Sequence, residues 1–147
     1  MQGEESMNQV ESLPLWLGHA GEGRDFRQIF DAGIEALVHL AVEDPPPQPP
    51  RELICCHFPL VDGAGNRSTL MSLAIHTVAT LVKVRLPTLV LCSAGVSRAP
   101  AIAAAALALA HRQPVEEWLA RVVECHPSDV SPGLWNEVSR LLPILRE

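Results

Sequence analysis

Thr88-Leu89-Val90-Leu91-Cys92-Ser93-Ala94-Gly95-Val96-Ser97-Arg98-Ala99 runs from a short apolar stretch, through a loop of small residues, into an alanine-rich segment. Residues 88–91 form a continuous apolar run after Pro87, the pattern of a central strand buried on both faces. Residues 99–111 are apolar all round, so the helix they form must be enclosed by other elements. A strand covered on both faces, followed by an enclosed helix, calls for a three-layer α/β domain with helices flanking a central, mostly parallel sheet. In such sheets ligands bind beyond the carboxyl ends of the strands, and Cys92 stands at that end of the most buried strand.

Upstream, residues 13–18 read as a first short strand ending in a turn, and residues 24–32 as a helix, with Phe26, Ile29 and Phe30 at helical spacing and Gly33 as its terminal cap. Residues 34–42 and 53–60 read as two further strands. Between them, Pro45-Pro46-Pro47-Gln48-Pro49-Pro50 can continue neither element and is expected to be a stiff exposed loop with polyproline character. After the turn at residues 61–66, Ser68 is expected to cap a helix running to about Arg85, which Pro87 stops. Pro114, with Glu116 and Glu117 in the first turn, opens a helix ending near Cys125, and Pro132 opens a last one reaching Leu145. There is no internal repeat. We expect residues 1–12 to be a flexible N-terminus and residues 13–147 a single domain.

The chain has 147 residues, 48% hydrophobic, and its mean hydropathy is +0.16, so it can form a packed core. A net charge of -6, with basic residues scattered rather than striped, argues against nucleic-acid binding and against anionic membranes. Any phosphate recognition must then come from a local site. Residues 1–11 lack the basic start and apolar stretch of a secretory signal, and the longest apolar run, residues 101–110, is about half a membrane span, so a cytoplasmic location is expected. The four cysteines have no zinc spacing and read as free thiols, with no metal or cofactor expected.

Among those cysteines only Cys92 has an arginine six residues on, giving Cys-x5-Arg between a buried strand and a helix. A phosphoryl group carries three anionic oxygens, and a tight loop at a helix N-terminus turns several backbone N–H groups toward them. Ser93, Ala94, Gly95, Val96 and Ser97 are small enough to let the backbone approach that closely. Arg98 adds a planar two-pronged donor that a lysine cannot match. The same positive surroundings favour the Cys92 thiolate, the form that acts as a nucleophile.

On these residues the sequence resembles the dual-specificity branch of the cysteine-dependent protein-tyrosine phosphatases, whose signature is His-Cys-x2-Gly-x-x-Arg-Ser/Thr. Leu15-Trp16-Leu17-Gly18 is similar to the family's opening strand, Gly33-Ile34 to the start of its second, and Val130-Ser131-Pro132 to the start of its closing helix. The resemblance implies that Cys92 forms a phosphocysteine, that Arg98 and the loop bind phosphate, and that an aspartate about thirty residues upstream is the general acid. Asp62 lies thirty residues before Cys92, at the end of a strand and in a glycine-rich turn. A serine or tyrosine oxygen leaves poorly unless it is protonated, which is the role such a group would fill. Asp44 and Asp129 lack a comparable position. Asn66 and Arg67 follow closely enough to orient Asp62 or a substrate anion.

Two positions depart from the signature. Leu91 replaces the histidine before the cysteine, and Ala99 replaces the hydroxyl residue after the arginine. Both changes remove groups that act on the sulfur, so breakdown of the phosphoenzyme is expected to be slow. They motivate the alternative of a weakly active or inactive phosphate-binding module. A phosphatase acting on a phosphoinositide, a nucleotide or an RNA 5′ phosphate is a further alternative, disfavoured because the loop lacks an additional Lys or Arg. In a rhodanese-type sulfurtransferase, Asp62 would serve no purpose. The histidines share no spacing and are expected mostly at the surface or at helix ends, with Trp118 and Trp135 in the core. Cys55 and Cys56 point to opposite faces of one strand, so at most one of them could reach Cys92.

Overall fold

A computed structural model of the chain describes residues 7–49 and 52–146. At its centre lies β5, Thr88–Cys92, every residue of which is buried. β2 (Leu15–His19) and β3 (Ala36–Ala41) flank it, both parallel to it. β4 (Ile54–Leu60) pairs parallel with β3 at one edge, and β1 (Asn8–Gln9) pairs antiparallel with β2 at the other. The order is β1-β2-β5-β3-β4. The register sets His19 opposite Cys92 and Leu91 opposite His39, so the carboxyl ends of the three inner strands share one rim.

The two faces of the sheet are covered unequally. On one side pack α2 (Ser68–Lys83), α3 (Arg98–His111), α4 (Val115–Cys125) and α5 (Pro132–Leu145). Residues 98 to 108 of α3 are all buried, and their alanines let the helix lie close to the sheet and its neighbours. On the other side sit a 3-10 turn, Glu22–Arg24, and α1 (Phe26–Asp31). Ile29, Ile34, Leu37, Leu53, Leu89 and Leu91 form a smaller core there. The expected three-layer architecture is therefore present, with one thin layer.

Several boundaries differ from the sequence reading. The flexible segment expected over residues 1–12 is structured from Asn8 onward, because β1 pairs with β2 and Val10 is fully buried. Residues 1–6 lie outside the described residues. The single helix expected over residues 24–32 is a 3-10 turn followed by α1, divided at Asp25, whose side chain accepts the Gln28 N–H. Gly33 does end it, at φ +80°. Ser68 is the first helical residue rather than the cap, and Arg67 precedes it with no side-chain cap bond. α2 stops at Lys83, and Arg85 turns the chain at φ +61°. The expected proline loop falls partly on residues 50 and 51, which are outside the described residues; Pro45, Pro46 and Gln48 are exposed. Among the described residues no helix is long and apolar enough to cross a membrane.

Candidate active site

Between the end of β5 and the start of α3, residues 93–97 wrap one end of a cavity of about 200 Å3. Cys92, Ser93, Ala94, Val96, Ser97 and Arg98 line it, and Asp62 and Glu43 complete the wall from the loops after β4 and β3. A cavity of about 430 Å3 lies at the far ends of α2, α3 and α5, but among the described residues neither a cysteine nor a carboxylate lines it, so size alone does not locate the chemistry.

The loop is held from outside by its carbonyls. Ala20 N–H donates to Ser93 O at 3.2 Å and Asp129 N–H to Val96 O at 2.7 Å. His126 Nε2 lies 2.6 Å from Gly95 O and must donate to it, since a carbonyl only accepts. Nδ1 then accepts from the Asn8 amide at 2.8 Å, which fixes the tautomer. With those carbonyls turned outward, no backbone N–H of residues 93–97 donates to another group among the described residues. They are the donors an anion would use. Gly95 has its α-carbon against β2: at φ +80° a Cβ would stand 2.9 Å from the Gly18 carbonyl. The missing side chain lets the loop pack against β2.

Arg98 is buried at the base of the cavity, 4% exposed. Nη1 donates to Glu43 Oε1 at 2.7 Å and to Leu60 O at 2.8 Å, and Nη2 to Glu43 Oε2 at 2.5 Å. Glu43 thus grips the end of the guanidinium. Among the described residues Nε has no hydrogen-bond partner although it is buried. The Nε/Nη2 side of the fork therefore remains for a second planar or tetrahedral anion, the arrangement that recognises two phosphate oxygens at once. The Arg98 hydrogen bonds hold the Glu43 carboxyl down at about 2, and Glu43 pushes the guanidinium up. Sequence reasoning missed Glu43. The available signal was an acid directly after a buried strand, at the rim where Cys92 also emerges.

Cys92 Sγ accepts the Ala99 N–H at 3.2 Å, so the backbone at the departed position still reaches the sulfur. The Ser97 hydroxyl does not replace the one missing at Ala99, because its Oγ donates to Asp62 Oδ1 at 2.6 Å. Asp62 sits in a turn closed by Asn66, whose Oδ1 accepts the Val61 N–H at 2.8 Å and whose amide donates to Gly63 O at 3.0 Å. Asn66 shapes the loop that carries Asp62, while neither it nor exposed Arg67 lines the cavity. Cys55, exposed near Pro47 O, and Cys56, packed toward the core, do not line it either, and all four cysteines are free. Of two buried histidines, His126 holds a helix-end position as expected, at the C-terminal cap of α4, whereas His39 departs from the expectation. His126 is buried against the loop of residues 93–97, and His39 is buried in β3 with neither ring nitrogen hydrogen-bonded among the described residues. Among the described residues no group of three or more His, Cys, Asp or Glu could hold a metal ion.

This arrangement is the fold of the dual-specificity phosphatases. A putative mouse dual-specificity phosphatase, crystallised with zinc tungstate, superposes with a TM-score of 0.85 at 20% identity, over 99% of this chain and 92% of that one. Human DUSP28 gives 0.83 at 22% identity, over 96% and 95%. The human tyrosine phosphatase-like serine/threonine/tyrosine-interacting protein gives 0.78 at 16%, over 95% and 97%. No protein-family model matches the sequence, and no curated protein matches it significantly. The likeness therefore resides in the fold.

Proposed function

We propose that this protein hydrolyses phosphomonoesters, with phosphorylated protein as the substrate class, through a Cys92 phosphocysteine. The observation that carries this reading is the open side of the Arg98 fork in a cavity shared with Cys92 and Asp62. Arg98 and the loop N–H groups bind the phosphoryl oxygens and hold phosphorus in line with Sγ. The thiolate attacks phosphorus as the P–O bond to the leaving group breaks, and Asp62 delivers a proton to the departing oxygen. The Asp62 carboxylate then takes a proton from water, whose oxygen attacks the phosphocysteine and releases inorganic phosphate and the Cys92 thiolate. Among the described residues Arg98 is the only cation lining the cavity, which favours a monoester over a polyphosphorylated ligand. Leu91 and Ala99 support a second reading, a module that binds phosphate without turning it over.

Release of phosphate from an aryl phosphate by the wild type and by Cys92→Ser tests the proposal. Turnover by the wild type that the variant loses supports it, and equal rates overturn it. A phosphopeptide bound by both proteins with no turnover by either would establish the second reading.

A further inference from the structure

Ser97 is 5% exposed and stands where three segments meet. Its hydroxyl donates to Asp62 Oδ1 at 2.6 Å and accepts the Ser131 N–H at 2.9 Å, at the entry to α5. The accepted bond fixes the direction of the hydroxyl proton, since a hydroxyl that takes an N–H on one lone pair turns its own hydrogen elsewhere. Here it points at Asp62. We propose that Ser97 is the positioning residue of the general acid, which rests on the acid role given to Asp62 above.

The chain Ser131 N–H, Ser97 O–H, Asp62 Oδ1 has a definite direction. With Oδ1 already accepting, a proton on the Asp62 carboxyl resides on Oδ2, the oxygen left to face a leaving group. After transfer, Oδ2 is again the oxygen that takes the proton from water. The bond also ties the loop after β4 to the phosphate loop, so the acid is placed by the same backbone that places phosphorus. Asp62 itself is exposed, and apart from its turn Ser97 is the side chain that locates it. Misplacing a proton donor by even an ångström costs rate disproportionately.

Leaving-group dependence separates this role from a merely structural one. A misplaced acid hurts a poor leaving group more than a good one, whereas a damaged phosphate loop slows both alike. The measurement is kcat/KM for phenyl phosphate and 4-nitrophenyl phosphate, which covers the steps up to phosphocysteine. Ser97→Ala should lose about tenfold more on phenyl phosphate than on 4-nitrophenyl phosphate. Ser97→Thr should restore the wild-type ratio, and Ser97→Ala should not change the ratio further in an Asp62→Ala background. Equal losses of Ser97→Ala on both substrates, or a further change of ratio in that background, overturn the proposal. Should Ser97→Ala fail to fold, Ser131→Pro carries the same readout. Ser131 has φ -67°, which proline adopts, and the change removes the N–H that orients Ser97 together with a hydroxyl that has no hydrogen-bond partner among the described residues. An unchanged ratio there overturns the proposal. If Asp62→Ala keeps the wild-type ratio, the acid reading itself fails. An inactive wild type removes both.

Discussion

Glu43 holds both terminal nitrogens of Arg98 from 55 residues earlier in the chain, at 2.7 and 2.5 Å, while Nε has no partner among the described residues. A guanidinium gripped at its end is preorganised to present its side. Glu43 is half exposed, so solvent screens the pair and its contribution to stability is about 1 kcal/mol or less. Its value lies in orientation. Glu43→Gln keeps the shape and loses the charge, and we expect kcat/KM on an aryl phosphate to fall about tenfold with little change in melting temperature. Because the Glu43 carboxyl is held at about 2, its stabilising effect is complete above the ordinary value of 4.5 and disappears only as pH falls through about 2. The pH–rate profile above pH 5 should therefore show no step that Glu43→Gln removes.

Ala99 is fully buried, and its N–H is the donor to Cys92 Sγ. Ala99→Ser adds a hydroxyl beside the sulfur. One further hydrogen bond favouring the departing thiolate should speed phosphocysteine breakdown about threefold to tenfold. Burst kinetics check this. The burst should keep its amplitude while the steady state rises, and no gain, or a loss, counts against the role assigned to the missing hydroxyl.

His126 couples the phosphate loop to pH. Burial holds its imidazole below the ordinary 6.5, against the opposing pull of the Gly95 carbonyl, with His19 adding to the depression. Between the folded and unfolded values the unfolded chain binds more protons, so stability rises with pH across that interval. The contribution is fully present above 6.5 and is lost as pH falls through the folded value. Thermal melts from pH 8 to pH 5.5 should show a falling midpoint for the wild type and a shallower fall for His126→Gln. The fall should not vanish, because burial depresses His39 in the same direction.

Gly95→Ala forces a side chain into a left-handed backbone and into the Gly18 carbonyl, 2.9 Å away. We expect a loss of about 2–4 kcal/mol in denaturant unfolding, combining backbone strain with overpacking. The equivalent change at Gly65, at φ +99° with nothing near its Cβ, should cost only the backbone part.

The strand, loop and helix around Cys92 were legible because each is a local property: a continuous apolar run, small loop residues, an alanine-rich helix. Asp62 was legible through its spacing and its glycines together with the family resemblance. The partners of these residues were not. Glu43 and His126 reach the loop through the lateral order of strands and the return of the chain after α4, and neither carries a spacing signal relative to Cys92. β1 escaped notice because two residues of strand have no periodicity to read, and the division of α1 at Asp25 because a side-chain cap competes with apolar spacing.

The sequence alone determined that a cysteine and an arginine would face one another across a small-residue loop, since five residues between a buried strand and a helix leave the backbone little choice. It could not say which way Arg98 would present its fork or where the Ser97 hydroxyl would point. Those follow from Glu43 and from Asp62 and Ser131, brought in from elsewhere in the chain, because a side chain's direction is set by its hydrogen-bond partners and partners distant in sequence meet only once the sheet has formed.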